Sequence, residues 1–281
     1  MKTALVELWL SPTQSRNSQI QVAFALCKLK IDARGLLRFL TSTLGTSQDA
    51  ALRKAAAEAL ACCNKTDIDV VPALLTSALS DKDERVRQIA EAALAQLKLS
   101  QEKAVQICAK QLKESAFAES ALRHSGQQAV PVLIEALDTD EPETREKAAR
   151  TLGFLGELAV AAAPALTLTL EDKNPEVRLA AAKGLWNISK NADAVVPVLV
   201  ELLEEKTSAA VEASEPRRRF LQTVIEALWR MGPPAIAARP ALMEKTKHKN
   251  RLISESATSA LKKIAPAEPT RAGVRTSGPA K

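Results

Sequence analysis

The 281-residue chain contains no tyrosine, nine glycines, two histidines and four cysteines, and only 3% of its residues are aromatic. Each shortage closes a route. His124 is followed by Ser125 and His248 by Lys249, and neither stands where a serine or cysteine nucleophile could borrow a base. The glycines build no G-x-x-x-x-G-K-[ST] loop, no G-x-G-x-x-G turn and no G-x-S-x-G elbow. The nearest spacing, Gly153-Phe154-Leu155-Gly156, reads as the end of a helix. Cys27, Cys62, Cys63 and Cys108 form no C-x-x-C pair and fall on or at the ends of expected helices. They read as buried thiols of a reducing compartment rather than as metal ligands or disulfides. The most apolar stretch, residues 158–170, is broken by Pro164 and is too short to cross a bilayer. Residues 1–10 carry Glu7 and no convincing cleavage site of a secretory signal. No catalytic residue, metal, cofactor or transmembrane segment is expected, and the expected setting is cytoplasmic.

What the chain has in quantity is alanine and leucine, with 46% of its residues apolar and no strand-like alternation. Val71-Pro72-Ala73-Leu74-Leu75, Val130-Pro131-Val132-Leu133-Ile134, Ala163-Pro164-Ala165-Leu166 and Val196-Pro197-Val198-Leu199-Val200 repeat one phrase, and Pro131, Pro164 and Pro197 stand 33 residues apart. A fixed period of this size marks a solenoid. Fourteen or fifteen residues after the proline, Arg87, Arg145 and Arg178 each open a second, alanine-rich run. The unit is therefore helix, turn, helix. Proline falls in the first turn of the first helix, where its missing N–H is unpartnered anyway. The alanines of the second helix let neighbours approach closely. Between the two lie Ser80-Asp81-Lys82-Asp83, Asp138-Thr139-Asp140-Glu141-Pro142 and Glu171-Asp172-Lys173-Asn174-Pro175, turns suited to end one helix and cap the next.

This combination resembles the HEAT repeat, and its alanine-rich copies are similar to the subgroup named after phycobilisome lyases. The resemblance implies an all-α fold, an α-solenoid wound as a right-handed superhelix of about seven helix pairs. It also implies a ladder of aspartates and arginines along the stack, formed here by Asp81, Arg87, Asp172 and Arg178. Arg53 and Arg145 occupy the same place in their copies, so this arginine row is assigned to structure. Approximate units span residues 1–31, 33–64, 69–98, 102–127, 129–159, 162–192, 195–232 and 235–265. The first begins inside a repeat, and the copy at 102–127 looks worn, with a short second helix. The copy at 195–232 carries an insertion at 206–216. A disordered basic tail is expected at 266–281. His124 and His248 lack the adjacent glutamate of the HEAT-type deoxyhypusine hydroxylases, which sets that di-iron chemistry aside.

Three features could mark a working surface. Residues 216–281 hold 14 lysines and arginines against four glutamates, an excess of +10, so the remainder carries −4 of the total +6. Within this excess lie Arg217, Arg218, Arg219, Lys245, Lys247, Lys249 and Arg251, which suit an acidic partner or serve as a solvated end of the stack. Trp186 and Trp229 share one position of successive second helices and either anchor a peptide or base or fill space between repeats. The insertion, running directly into three arginines, either serves a partner or is a tolerated loop.

The reading that follows is a non-catalytic scaffold holding an acidic protein partner on its concave helix face and basic C-terminal third. A nucleic-acid-binding protein is the alternative, similar to the HEAT-like alkylpurine DNA glycosylases, although their aspartate among aromatics has no match here. A lyase or chaperone subunit is a third, resting on repeat resemblance alone. Partner identity and oligomeric state are not legible in the sequence.

Overall fold

A computed structural model describes residues 2–11, 15–31, 35–63, 69–205, 211 and 214–264. The expected tail at 266–281 and most of the insertion lie outside the described residues. Every regular element described is helical. The first helices of successive pairs are α1 (Lys2–Leu10), α3 (Leu36–Thr46), α5 (Val70–Ser80), α7 (Gln101–Lys110), α9 (Val130–Ala136), α11 (Ala163–Thr169), α13 (Ala192–Glu204) and α15 (Arg239–Lys245). Their partners are α2 (Arg16–Lys28), α4 (Ala50–Cys63), α6 (Glu84–Gln96), α8 (Ala116–His124), α10 (Pro142–Leu155), α12 (Pro175–Ser189), α14 (Glu215–Met231) and α16 (Arg251–Ile264). The pairs stack into an α-solenoid.

The helix starts follow the local chemistry. Asp83 accepts from the N–H groups of Arg85 and Val86, and Asn174 from those of Glu176 and Val177, which satisfies donors otherwise orphaned at a helix start. Pro142 and Pro175 open α10 and α12. Pro197 departs from the expected position. It lies inside α13, because Asn191 caps Ala194 and starts that helix five residues earlier.

Packing sorts the helices into two layers. The second helices α2, α4 and α6 lie side by side, as do α10 with α12 and α14 with α16. Fully buried leucines run the length of the stack, among them Leu26, Leu60, Leu74, Leu133, Leu152 and Leu166, each contributing about 2 kcal/mol of burial. The tightest crossing is α10 on α12: a Cβ built on Gly153 would stand 2.6 Å from the Cα of Gly184. The short helix α8 departs from the pattern. It seats chiefly on α5 rather than on α6, with Ser115 Oγ donating to Asp69 Oδ1 at 2.8 Å. Covered on both sides, α5 buries eight of its eleven residues, which is why it reads as apolar all round.

The expectation for the cysteines needs correction. Cys27 and Cys63 are joined in a disulfide across a sequence separation of 36, so they are not thiols, and the argument from thiols to a reducing, cytoplasmic setting falls with them. The reason is geometric: the two lie near the C-terminal ends of adjacent second helices, α2 and α4. Cys62 and Cys108 are free, and burial pushes the Cys108 thiol up to about 12, which keeps it protonated and inert. Helical residues also run from Pro142 to Thr169, a length and composition able to cross a membrane. The backbone breaks at Gly156 and at Ala159, dividing the run into α10, a 3-10 turn and α11. Among the described residues, no single unbroken helix is long and apolar enough to span.

Replacing Cys27 and Cys63 by serine removes a cross-link worth about 3–4 kcal/mol by loop-closure entropy. Hydrogen exchange should then accelerate in α1–α4 and stay unchanged in α10–α16, because units couple only to their neighbours. A uniform acceleration along the chain would contradict that local coupling.

Candidate functional site on the second helices

The arginine row does structural work. Arg53 donates from Nε and Nη2 to both carboxylate oxygens of Asp81, each at 2.8 Å, and from Nη1 to the carbonyls of Ser47 and Gln48. Arg145 repeats this on Asp172 at 2.6 and 2.9 Å, with Nη1 on the carbonyls of Thr139 and Asp140. Each guanidinium thus closes its own intra-repeat turn and grips the aspartate of the next. Such forked pairs are the strong kind. Arg87 and Arg178 bond the carbonyls of Asp81 and Asp172, and Arg178 stands 3.9 Å from Glu205.

Arg217 continues this row and is buried, where a partner-facing position was expected. It is 7% exposed, donates to the Glu205 carbonyl at 2.9 Å and lies over the Phe220 ring. The next two arginines of the run share one carboxylate, Arg218 and Arg219 meeting Glu215 at 2.6 and 2.9 Å, so Glu215 offsets one of their two charges. That glutamate, in the first turn of α14, also offsets the clash with the helix dipole. Lys247 pairs with Glu244 and Arg251 with Glu255. Lys245 is half-buried and Lys249 exposed.

The structure does not bring the two halves of the expected site together. Arg218, Arg219, Lys247, Lys249 and Arg251 lie at or before the N-terminal ends of α14 and α16, on the edge formed by the intra-repeat turns. Trp186 and Trp229 lie near the C-terminal ends of α12 and α14. Arg219 and Trp229 are ten residues apart on one helix, about 15 Å along its axis.

Between α10, α12 and α14 opens a cleft of about 310 Å³, lined by Glu146 and Arg150, by Lys183 and Asn187, and by Phe220 and Thr223. Gly153 and Gly184 line it as well, their missing side chains leaving room above the helix crossing. Asn187 Nδ2 donates to the Gly153 carbonyl at 3.2 Å and holds α12 to α10 at its rim. Arg150 binds both oxygens of Glu119 at 2.8 and 3.0 Å and Glu146 at 3.0 Å, and Arg123 also bonds Glu119.

This network orders the charges. Burial alone would raise the Glu119 carboxyl; the Arg150 hydrogen bond and the nearby Arg150 and Arg123 charges outweigh it and hold Glu119 below its ordinary range. Glu146 is raised, by burial and by the Glu176 charge, against the pull of Arg150. Burial lowers the Lys183 ammonium, with Glu226 opposing. Lys183 remains exposed in the cleft, with Glu226 and Glu146 near enough to act on its charge, and among the described residues it makes no ion pair. Arg150 and Lys183 stand 33 residues apart, one period. That spacing was the signal available in the sequence, hidden because it coincides with the alanine-rich packing stripe. Among the described residues no group of three or more His, Cys, Asp or Glu side chains is placed to share a metal ion.

Residues 4–95 and 130–215 match the family described as HEAT repeats. No curated protein matches the chain in sequence. Among solved structures it is similar to the complex of CpcE and CpcF of phycocyanin lyase from Nostoc sp. PCC7120, at 19% identity over 94% of this chain and 95% of that one, with a TM-score of 0.33. It is similar to YibA of Escherichia coli at 23% identity over 92% of each chain, with a TM-score of 0.39. It also matches Kap121p at 14% identity over 94% of this chain and 37% of that one, with a TM-score of 0.45.

Proposed function

We propose that this chain, which belongs to the HEAT-repeat family, is a non-catalytic scaffold that holds a protein partner on the face of its second helices, centred on α10, α12 and α14. The observation that carries this reading is the cleft between those helices. Its rim is tied by Glu119, Arg150 and Asn187, while Lys183 stands exposed in it and makes no ion pair among the described residues. An acidic side chain of the bound protein pairs with Lys183, and a match of opposite charges there favours an acidic partner over a basic one. The local pairing of Arg218, Arg219, Lys247 and Arg251 leaves fewer free cations for a phosphate backbone than their number implies.

The test is capture of partners from the protein's own cell extract, with and without nuclease, beside a Lys183→Glu variant. A defined protein should survive nuclease and bind the variant at least tenfold more weakly, while the melting curve of the variant stays unchanged. Retention of nucleic acid alone would replace this reading with the nucleic-acid-binding one.

A further inference from the structure

The C-terminal ends of α10, α12 and α14 each carry an aromatic ring with a cation above it. Arg123 lies over Phe154 with its guanidinium carbon 4.6 Å from the ring centre, Lys190 over Trp186 at 5.3 Å and Lys263 over Trp229 at 3.4 Å. The cations come from different elements: α8, the residue that ends α12, and α16. The pattern is therefore not a by-product of one helical spacing. Phe154 is 64% and Trp229 39% exposed, while Trp186 is half-buried against the core. The same edge exposes Leu158, Val160 and Ile236, from the 3-10 turns that follow α10 and α14. This edge is thus apolar and aromatic, interleaved with positive charge. The opposite edge, of intra-repeat turns, is mainly charged and polar but also exposes Leu168, Met243 and Leu252.

We propose that this row is the binding track for an extended acidic segment of the partner, which lays an apolar side chain on each ring in turn and a carboxylate beside Lys190 and Lys263. The inference rests on the scaffold reading and deepens it. Charge complementarity selects the partner's chemistry: among the described residues Lys190 and Lys263 form no ion pair, and a cation held over a ring still offers its outer side to a carboxylate. Register selects an extended backbone. Trp186 and Trp229 occupy one position of adjacent second helices and Phe154 lies one residue from it in the preceding one. Packed helices lie about 10 Å apart, which a chain extended as polyproline II covers in about three residues, its side chains returning to the same face at every third one. An apolar residue in every third place, with aspartate or glutamate between, therefore meets successive rings.

The probe is a synthetic peptide of about twelve residues in which leucine occupies every third position among aspartates and glutamates, with two controls: the same residues in scrambled order and the same spacing with lysine for the acids. Intrinsic tryptophan emission reads binding. The spaced acidic peptide should shift the emission, and Phe154→Ser and Trp229→Ser should each weaken it by about tenfold, the loss expected of an aromatic anchor. Lys190→Ala with Lys263→Ala should weaken it and flatten its salt dependence. Thermal melts confirm that these exposed substitutions leave the fold intact. Equal binding of the lysine or scrambled peptide, or unchanged binding by the ring variants, would overturn the track. Should a partner be captured from extract through Lys183 while the peptide fails, the track falls and the scaffold reading stands.

Discussion

Gly153→Ala should lower the stability of the chain by about 1–3 kcal/mol, although alanine is the better helix former by about 1 kcal/mol. The added Cβ would meet Gly184 Cα at 2.6 Å and its N at 3.3 Å. Both are backbone atoms and cannot rotate away, so α10 and α12 must move apart along their whole contact. The reciprocal change is opposed as well, since a Cβ on Gly184 would meet the Ala149 carbonyl oxygen at 2.8 Å. Gly45→Ala is the control: its Cβ would meet the Phe117 ring at 3.0 Å, and a ring edge can swing aside, so helix propensity and crowding nearly cancel. Urea midpoints by circular dichroism separate the two. A Gly153→Ala chain as stable as the parent would mean that the helices do not approach so closely.

Asp172→Asn should cost about 2–4 kcal/mol at neutral pH, somewhat below the usual penalty for breaking a buried pair because Arg145 keeps its bonds to the Thr139 and Asp140 carbonyls. The side chains of Arg145 and Asp172 are 8% and 10% exposed, so the stranded guanidinium has little solvent to turn to. The pH dependence carries the sign. Burial would raise the Asp172 carboxyl, but the Arg145 hydrogen bonds, then the Asn174 N–H, outweigh it and hold the group below its ordinary value. A carboxyl depressed in the folded chain stabilises fully above its ordinary value near pH 4, and that contribution drains away as pH falls through the folded value. Asp81 behaves alike beside Arg53. The parent should therefore lose stability steeply below about pH 4, and Asp172→Asn should lose less over the same range. Identical acid limbs in the two proteins would remove the pair from the stability of the fold.

The 33-residue spacing of Pro131, Pro164 and Pro197 carries the helix pairs, because a period that long is imposed by one unit packing on the next. The Arg145–Asp172 bridge was legible only in part: position pointed to a ladder, while the direction of the grip, from one unit to the turn of the next, is a property of stacking. Arg217 misled because a run of three arginines looks solvated, yet α14 begins at Glu215 and turns the first of them inward. Cys27 and Cys63 are remote in sequence and meet only where α2 lies against α4. Arg150 and Lys183 carry the periodic signal of the core helices themselves, and charge within a packing stripe becomes visible as a site only once the glycine crossing beneath it is known. The repeat spacing announces α8 as a short second helix but not its displacement onto α5, which follows from its short length and from Ser115 reaching Asp69.

That displacement sets where the stack is joined. Where α2, α4 and α6 succeed one another, second helix meets second helix along the stack; between α6 and α8 that inner row is interrupted, and α5 makes the junction by meeting both α7 and α8. One first helix, α5, thus joins the two halves of the stack and is covered on both sides by the second helices α6 and α8.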